Sequence, residues 1–340
     1  MSRTWNVAVV GASGAVGEAL IAILEERGFP LGELYLLGSS RSAGTRLEFK
    51  GRHYRIDELG EFDFARAQIA FFAVSAALAG EYAPRAVAAG CVVIDCSAAF
   101  RRDLEVPLVI PEVNPQALSN YRQRGIVANP DPASIQMLVA LNPIHAAAGI
   151  ERIQVCTLEA VSGRGQAGIS ELAGQTAALL NGQSTEPPQV FPQQIAFNSL
   201  PRIDVPLENG YTENEMDLVW ATQRILGDAT ISVNPSAIVA PVFYGYSSMV
   251  TVQTRRPLNV VEARRLLSKA PSVLVLDSPK RAEIPTPVGV VGTDSVYVGR
   301  IRQGLSGPQE LNMWIAADNL RKGSALNAVQ IGEILVKAHL

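Results

Sequence analysis

The stretch Gly11-Ala12-Ser13-Gly14-Ala15-Val16-Gly17 constrains the fold of this chain more than any other. It follows an apolar run at residues 5–10 and opens residues 15–27, where apolar side chains recur at helical spacing before the break Gly28-Phe29-Pro30. Strand, glycine turn and helix in that order predict the first crossover of a parallel sheet. Gly11 permits a tight turn, Gly14 lets the backbone approach a pyrophosphate, and Gly17 lets helix and strand pack closely. The free N–H groups and partial positive charge of a helix start suit phosphate. Gly11, Ser13, Gly14, Ala15 and Val16 are therefore the candidate cofactor-binding residues. Strands expected at 33–37, 69–74 and 91–94, with a helix at 82–89, continue the pattern.

After about residue 129 the pattern changes. Segments 152–158, 247–255, 272–276 and 295–302 are longer and alternate, as in an antiparallel or mixed sheet with one covered face. Residues 229–254 are uncharged and long enough to resemble a membrane span. Asn234, Pro235, Pro241 and Gly245 among β-branched residues predict two buried strands with a turn instead. Residues 175–203, polar and proline-rich, read as a long surface excursion, and 320–339 as a closing amphipathic helix. The expected fold class is α/β. A Rossmann-type dinucleotide-binding domain spans 1–129 with the C-terminal helix 319–340, and an α+β domain with a large mixed sheet, of the dimerisation or catalytic type, spans 130–318.

A chain of 340 residues that is 48% apolar can bury two cores. Its charged fraction of 18% is below the roughly 25% of an average soluble chain, which points to surface buried in an oligomer. A net charge of −3 argues against nucleic acid or an anionic membrane as partner. Cys91, Cys96 and Cys156 form no C-x-x-C pair, and His53, His145 and His339 show no metal-ligand spacing. A reducing compartment and no metal site are expected. The first residues run straight into a strand, leaving no room for a signal peptide, so the expected location is cytoplasmic.

Dinucleotide sites that take NAD place an acid at the end of the second strand. Here that strand ends Leu37-Gly38-Ser39-Ser40-Arg41-Ser42-Ala43-Gly44 and carries no acid. Arg41 and Ser42 suit a 2′-phosphate, since guanidinium binds phosphate bidentately. The expected cofactor is NADP.

Along nearly its whole length the chain resembles the aspartate-semialdehyde dehydrogenases. The matching stretches include GASGAVG at 11–17, RSAG at 41–44, YAPRAVAAG at 82–90 and FRRDLEVPLVIPEVN at 100–114. Further on come IVANP at 126–130, AVSGRGQAG at 160–168, IAFN at 195–198, NGYTENE at 209–215 and ADNLRKGSALNAVQIGEIL at 317–335. The resemblance implies a homodimer that makes L-aspartate 4-semialdehyde from aspartyl phosphate and NADPH. In that family a cysteine thiolate attacks the acyl phosphate, phosphate leaves, and hydride reduces the thioester. A histidine serves as acid and base, and an arginine holds the substrate carboxylate. The resemblance also implies cofactor contacts for Asn319 and Gln330 and a phosphate contact for Arg101.

The catalytic positions depart from the family pattern. The nucleophile motif Asn-Pro-Asn-Cys here reads Asn129-Pro130-Asp131-Pro132, so the cysteine position holds Pro132 and an aspartate replaces the amide before it. Proline has neither a nucleophile nor a backbone N–H to steady an oxyanion. The carboxylate-binding arginine position holds Val239 and the histidine position Tyr246, a group that titrates near ~10 and is a poor base at neutral pH. The family's glutamine becomes Glu159, and a lysine position holds Asp217. Ser134 lacks a base, Cys96 and Cys156 lack a setting that lowers a thiol pKa, and His145 reads as a helix-face residue. The expectation is an NADP-binding, Usg-type paralogue without normal dehydrogenase turnover, as a homodimer or a partner of an active paralogue. The alternatives are an NADPH-dependent reductase of altered substrate with Tyr246 as proton donor, or a still active aspartate-semialdehyde dehydrogenase of lysine, threonine and methionine biosynthesis.

Overall fold

The computed structural model describes residues 3–201, 203–278 and 283–340. It divides into two compact units, Met1–Asp131 with Ser324–Leu340, and Pro132–Gly323.

In the first unit the apolar runs form strands β1 (Trp5–Val10), β2 (Leu31–Gly38), β3 (Arg46–Phe49), β4 (Arg52–Glu58), β5 (Ile69–Phe72), β6 (Val92–Asp95) and β7 (Ile126–Ala128). Their order is β3-β4-β2-β1-β5-β6-β7. All neighbours are parallel except the hairpin β3–β4. Strand β5 is buried at every residue, as a parallel strand covered on both faces must be. Helix α1 (Ala15–Glu26) lies within a residue of its expected span. Helix α2 (Ala76–Ala88) starts well before the expected 82–89. Its Pro84 looks in sequence like a first-turn residue, yet the helix begins at the Ser75 cap, whose hydroxyl accepts from the Leu78 N–H.

The closing segment is a π-helical turn at Arg321–Ala325 followed by an α-helix at Leu326–Ala338. Its Leu326, Val329, Ile331 and Leu335 enter the same core as Val9, Phe71 and Ile94.

The second unit contains α3 (Pro132–Ala148), β8 (Ile150–Glu159), α4 (Gly165–Leu180), α5 (Glu213–Leu226), β9 (Ser232–Val239) and β10 (Tyr246–Thr254). It continues with α6 (Val260–Lys269), β11 (Val273–Val275), α7 (Pro287–Val290), β12 (Val296–Gln303) and β13 (Glu310–Ala317). The strands form one mixed sheet in the order β11-β12-β13-β10-β8-β9, so the expected fold class holds. Residues 229–254 do form two strands, but not a hairpin. Strand β8 lies between them, parallel to β9 and antiparallel to β10. Helix α3 packs against β8, β10, β12 and β13 and is buried along most of its length. Alternate residues of β10, such as Val250 and Val252, are buried with it. The other face carries Cys156, Met249 and Trp314 side by side on three strands, with Met249 52% exposed.

The expected surface excursion at 175–203 needs correction. Helix α4 runs through its first six residues, and Phe191, Ile195, Leu200 and Ile203 are buried with Val161 and Leu172. Polar side chains of α4 hold the rest in place. The Glu171 carboxylate accepts the N–H groups of Gln189 (2.8 Å) and Val190 (2.7 Å). Gln175 Oε1 accepts those of Ile195 (2.9 Å) and Ala196 (3.1 Å).

Candidate functional site

The glycine loop forms a cradle at the carboxyl end of β1, where open parallel sheets bind ligands. Gly11 sits at φ +87°, and a Cβ there would collide with the carbonyl of Ala73. A Cβ on Gly17 would collide with the Gly11 carbonyl, so the helix start and the loop are in backbone contact. No side chain caps α1 at Gly14, which leaves its first N–H groups available to an anion. Above them lies a cleft of about 470 Å³ lined by Ser13, Ser39, Ser42, Glu58, Leu78 and Tyr82 among others. These features fit a dinucleotide.

Two expected cofactor residues lie elsewhere. Arg41 is exposed and does not line this cleft, although its neighbours Ser40 and Ser42 do. Gln330 donates to Glu112 Oε1 at 3.1 Å. The cleft also holds an acid that sequence reasoning missed. Glu58 ends β4, whose parallel pairing with β2 sets it beside Gly38. Only that long-range strand pairing brings it there, and no local signal marks it.

Arg101 stands beyond the carboxyl ends of β6 and β7. Its Nε donates to Asn129 O (3.2 Å), its Nη2 to Cys96 O (3.3 Å), and its Nη1 lies 3.7 Å from the Asp131 carboxylate. Nearby Asp95 is fully buried and accepts from the N–H and hydroxyl of Ser97. Burial raises its carboxyl above the usual range, while Ser97 and Arg101 oppose that shift.

The positions that the resemblance marks as catalytic belong to the second unit. Pro132 is the first residue of α3, where proline's missing N–H leaves no hydrogen bond unmade. Glu159 and Val239 pair in register at the ends of β8 and β9. Glu159 Oε1 accepts from the Thr157 hydroxyl (3.1 Å). Val239 belongs to the apolar cluster of Phe191, Ile195 and Leu200, so the position implied for a carboxylate-binding arginine is occupied by hydrocarbon. Tyr246 opens β10 with its ring buried and its hydroxyl against Gly163. Asn319 is held within this unit. Its Nδ2 donates to Ser162 Oγ (3.0 Å) and its Oδ1 accepts from Gly245 N (2.9 Å). Asp217 lies half-buried on α5.

None of the three cysteines is in a setting that lowers a thiol pKa. Burial pushes the Cys96 thiol up to about 12, reinforced by Asp95. Burial and Asp63 push Cys91 to about 12, and burial raises Cys156. A thiol whose ionisation is opposed by burial is a poor nucleophile. Iodoacetamide at pH 8 is therefore expected to leave Cys91 and Cys96 unmodified in the native protein and to label both in urea, as counted by mass spectrometry. Native labelling of Cys96 within minutes would restore it as a nucleophile.

A doubly wound sheet with this glycine cradle, joined to a mixed-sheet unit, defines a nicotinamide-dinucleotide-binding protein of the two-domain dehydrogenase class. Residues 6–121 match the semialdehyde dehydrogenase NAD-binding domain, and residues 141–322 match the semialdehyde dehydrogenase dimerisation domain. The chain is 51% identical over 341 residues to the aspartate-semialdehyde dehydrogenase of Legionella pneumophila, covering 100% of this chain and 98% of that protein. The crystal structure of aspartate semialdehyde dehydrogenase II from Vibrio cholerae complexed with ASA superposes with a TM-score of 0.97 at 48% identity, covering 100% of both chains. A probable aspartate-semialdehyde dehydrogenase from Pseudomonas aeruginosa gives 0.94 at 38% identity, covering 99% of this chain and 100% of that one. This chain belongs to the aspartate-semialdehyde dehydrogenase family. Among its described residues, no helix is long and apolar enough to cross a membrane.

Proposed function

We propose that this family member binds NADP(H) in the glycine cleft and does not perform cysteine-dependent reduction of aspartyl phosphate, as a Usg-type paralogue. One observation carries the reading: the nucleophile position is Pro132, built into the first turn of α3. Its tertiary amide supplies neither the attacking sulfur nor an N–H for the oxyanion. Tyr246 at the histidine position and Val239 at the arginine position deepen the loss, because base and carboxylate anchor are replaced as well.

In the cofactor half, Ser13 and the N–H groups of Ala15 and Val16 would hold the pyrophosphate. Ser42 on the cleft wall would meet the 2′-phosphate, with the exposed Arg41 reaching in from the same loop, while Glu58 favours ribose hydroxyls. A bound nicotinamide supplies hydride. The match to a dimerisation domain supports a homodimer, and the sheet face that carries Cys156, Met249 and Trp314 beside Gln154, Thr251 and Asn312 is an open surface for it. It is equally the surface that an active paralogue would occupy in a heterodimer.

The names of relatives at about half identity favour a second reading, an active enzyme working through another group. The deciding experiment is phosphate-dependent reduction of NADP by L-aspartate 4-semialdehyde, with protein from a host lacking its own dehydrogenase. No turnover is expected from the wild type or from Pro132→Cys, while fluorescence titration detects NADPH binding, with NADH as comparison. Turnover by the wild type would establish the second reading. Near-normal activity from Pro132→Cys alone would show that Tyr246 and Val239 are not limiting.

A further inference from the structure

Arg101 occupies the kind of place where an open parallel sheet meets its ligands, at the carboxyl ends of β6 and β7. Guanidinium has five N–H donors in a planar fork, suited to a phosphate or carboxylate. Here two of its nitrogens are aimed at main-chain oxygens, those of Asn129 and Cys96. The third, Nη1, lies 3.7 Å from Asp131 Oδ2, and both side chains are largely buried, at 13% and 14% exposure. Bulk salt screens such a pair poorly. The carboxylate is tethered to the fold, so an incoming anion competes with an internal one whose local concentration never falls. Asp95 adds a second carboxyl group close to the same guanidinium.

We infer that Asp131 is a built-in counter-ion that closes the Arg101 position to phosphate and related oxyanions, leaving a neutralised pair suited to an uncharged ligand group. The inference is independent of the nucleotide cleft and of any turnover, and phosphate binding alone tests it. Asp131→Asn keeps the size and hydrogen-bonding capacity of the side chain and removes its charge.

Isothermal titration with inorganic phosphate at constant ionic strength, on the full chain, compares the wild type, Asp131→Asn and Asp131→Asn with Arg101→Gln. Asp131→Asn is expected to bind phosphate at least about tenfold more tightly than the wild type. The added Arg101→Gln is expected to abolish the gain. Equal affinity in the wild type and Asp131→Asn, whether both bind or neither does, overturns the inference. A gain that survives Arg101→Gln overturns it as well. Asp131→Ser, with circular dichroism to confirm folding, gives the same comparison if the asparagine variant is unstable.

Discussion

Gly11→Val is expected to lose roughly 3–5 kcal/mol of folding stability and all measurable NADPH binding. The residue is in the left-handed region at φ +87°, which costs a side-chain-bearing residue about 1–2 kcal/mol by itself. The larger part comes from the collision of its Cβ with the Ala73 carbonyl, while Val74 Cγ1 lies 3.0 Å away. Ala73 directly follows β5 and its N–H donates to the Val10 carbonyl, so its own carbonyl cannot turn aside as a side chain would without disturbing the pairing of β1 with β5. Gly28→Ala is the control. Gly28 has φ +60° with nothing within 4 Å of its missing Cβ, so only the conformational cost of about 1–2 kcal/mol is expected there. Urea unfolding of both variants, with fluorescence titration by NADPH, separates the two contributions. Equal midpoints for Gly11→Val and Gly28→Ala would mean that the loop yields, and that the cradle is not rigid.

The second large effect is expected at Gly163. A Cβ there would collide with the Tyr246 hydroxyl, whereas the ring carbon bearing it stands 3.2 Å away. Tyr246 is only 4% exposed, so its ring has little room to swing clear. Gly163→Ala is expected to cost roughly 2–3 kcal/mol in the wild-type background and about 1 kcal/mol beside Tyr246→Phe. The double-mutant cycle, read from denaturation midpoints, isolates the difference, because the loss of the hydroxyl's own partner cancels. A coupling near zero would show that the turn at 161–164 moves freely and that the hydroxyl is not confined. A strong coupling places the tyrosine in the packing of its own unit, against the idea that it replaced histidine to serve a new proton transfer.

Strand β1, the glycine turn and α1 were legible because three local signals agree: an apolar run, glycines at fixed offsets and helical periodicity. The two strands within 229–254 were legible from Pro and Gly among β-branched residues. Their neighbours in the sheet were not, since insertion of β8 between β9 and β10 is decided by tertiary pairing. The hairpin β3–β4 was missed because its strands are charged, as an edge demands, and its Lys50-Gly51 turn is brief. Helix α5 did carry a readable signal, the capping box of Thr212 and Glu215. In the site, the departures of Pro132, Tyr246 and Val239 from the family pattern are a reading of the sequence alone. Glu58 beside Gly38 and Asp131 beside Arg101 could not, because each joins residues about twenty or thirty positions apart, where composition carries no record of distance.

The closing helix has a consequence for how the chain is made. Val9, Phe71 and Ile94 come early, yet the apolar surface that covers them belongs in part to Leu326, Val329 and Leu335. A nascent chain leaving the ribosome therefore holds its first-made sheet with part of the core uncovered until residues 326–335 have been added. The intervening stretch 132–323 has all of its own strands by then. It can collapse first, although it is synthesised second, and the first 131 residues wait for the segment 324–340.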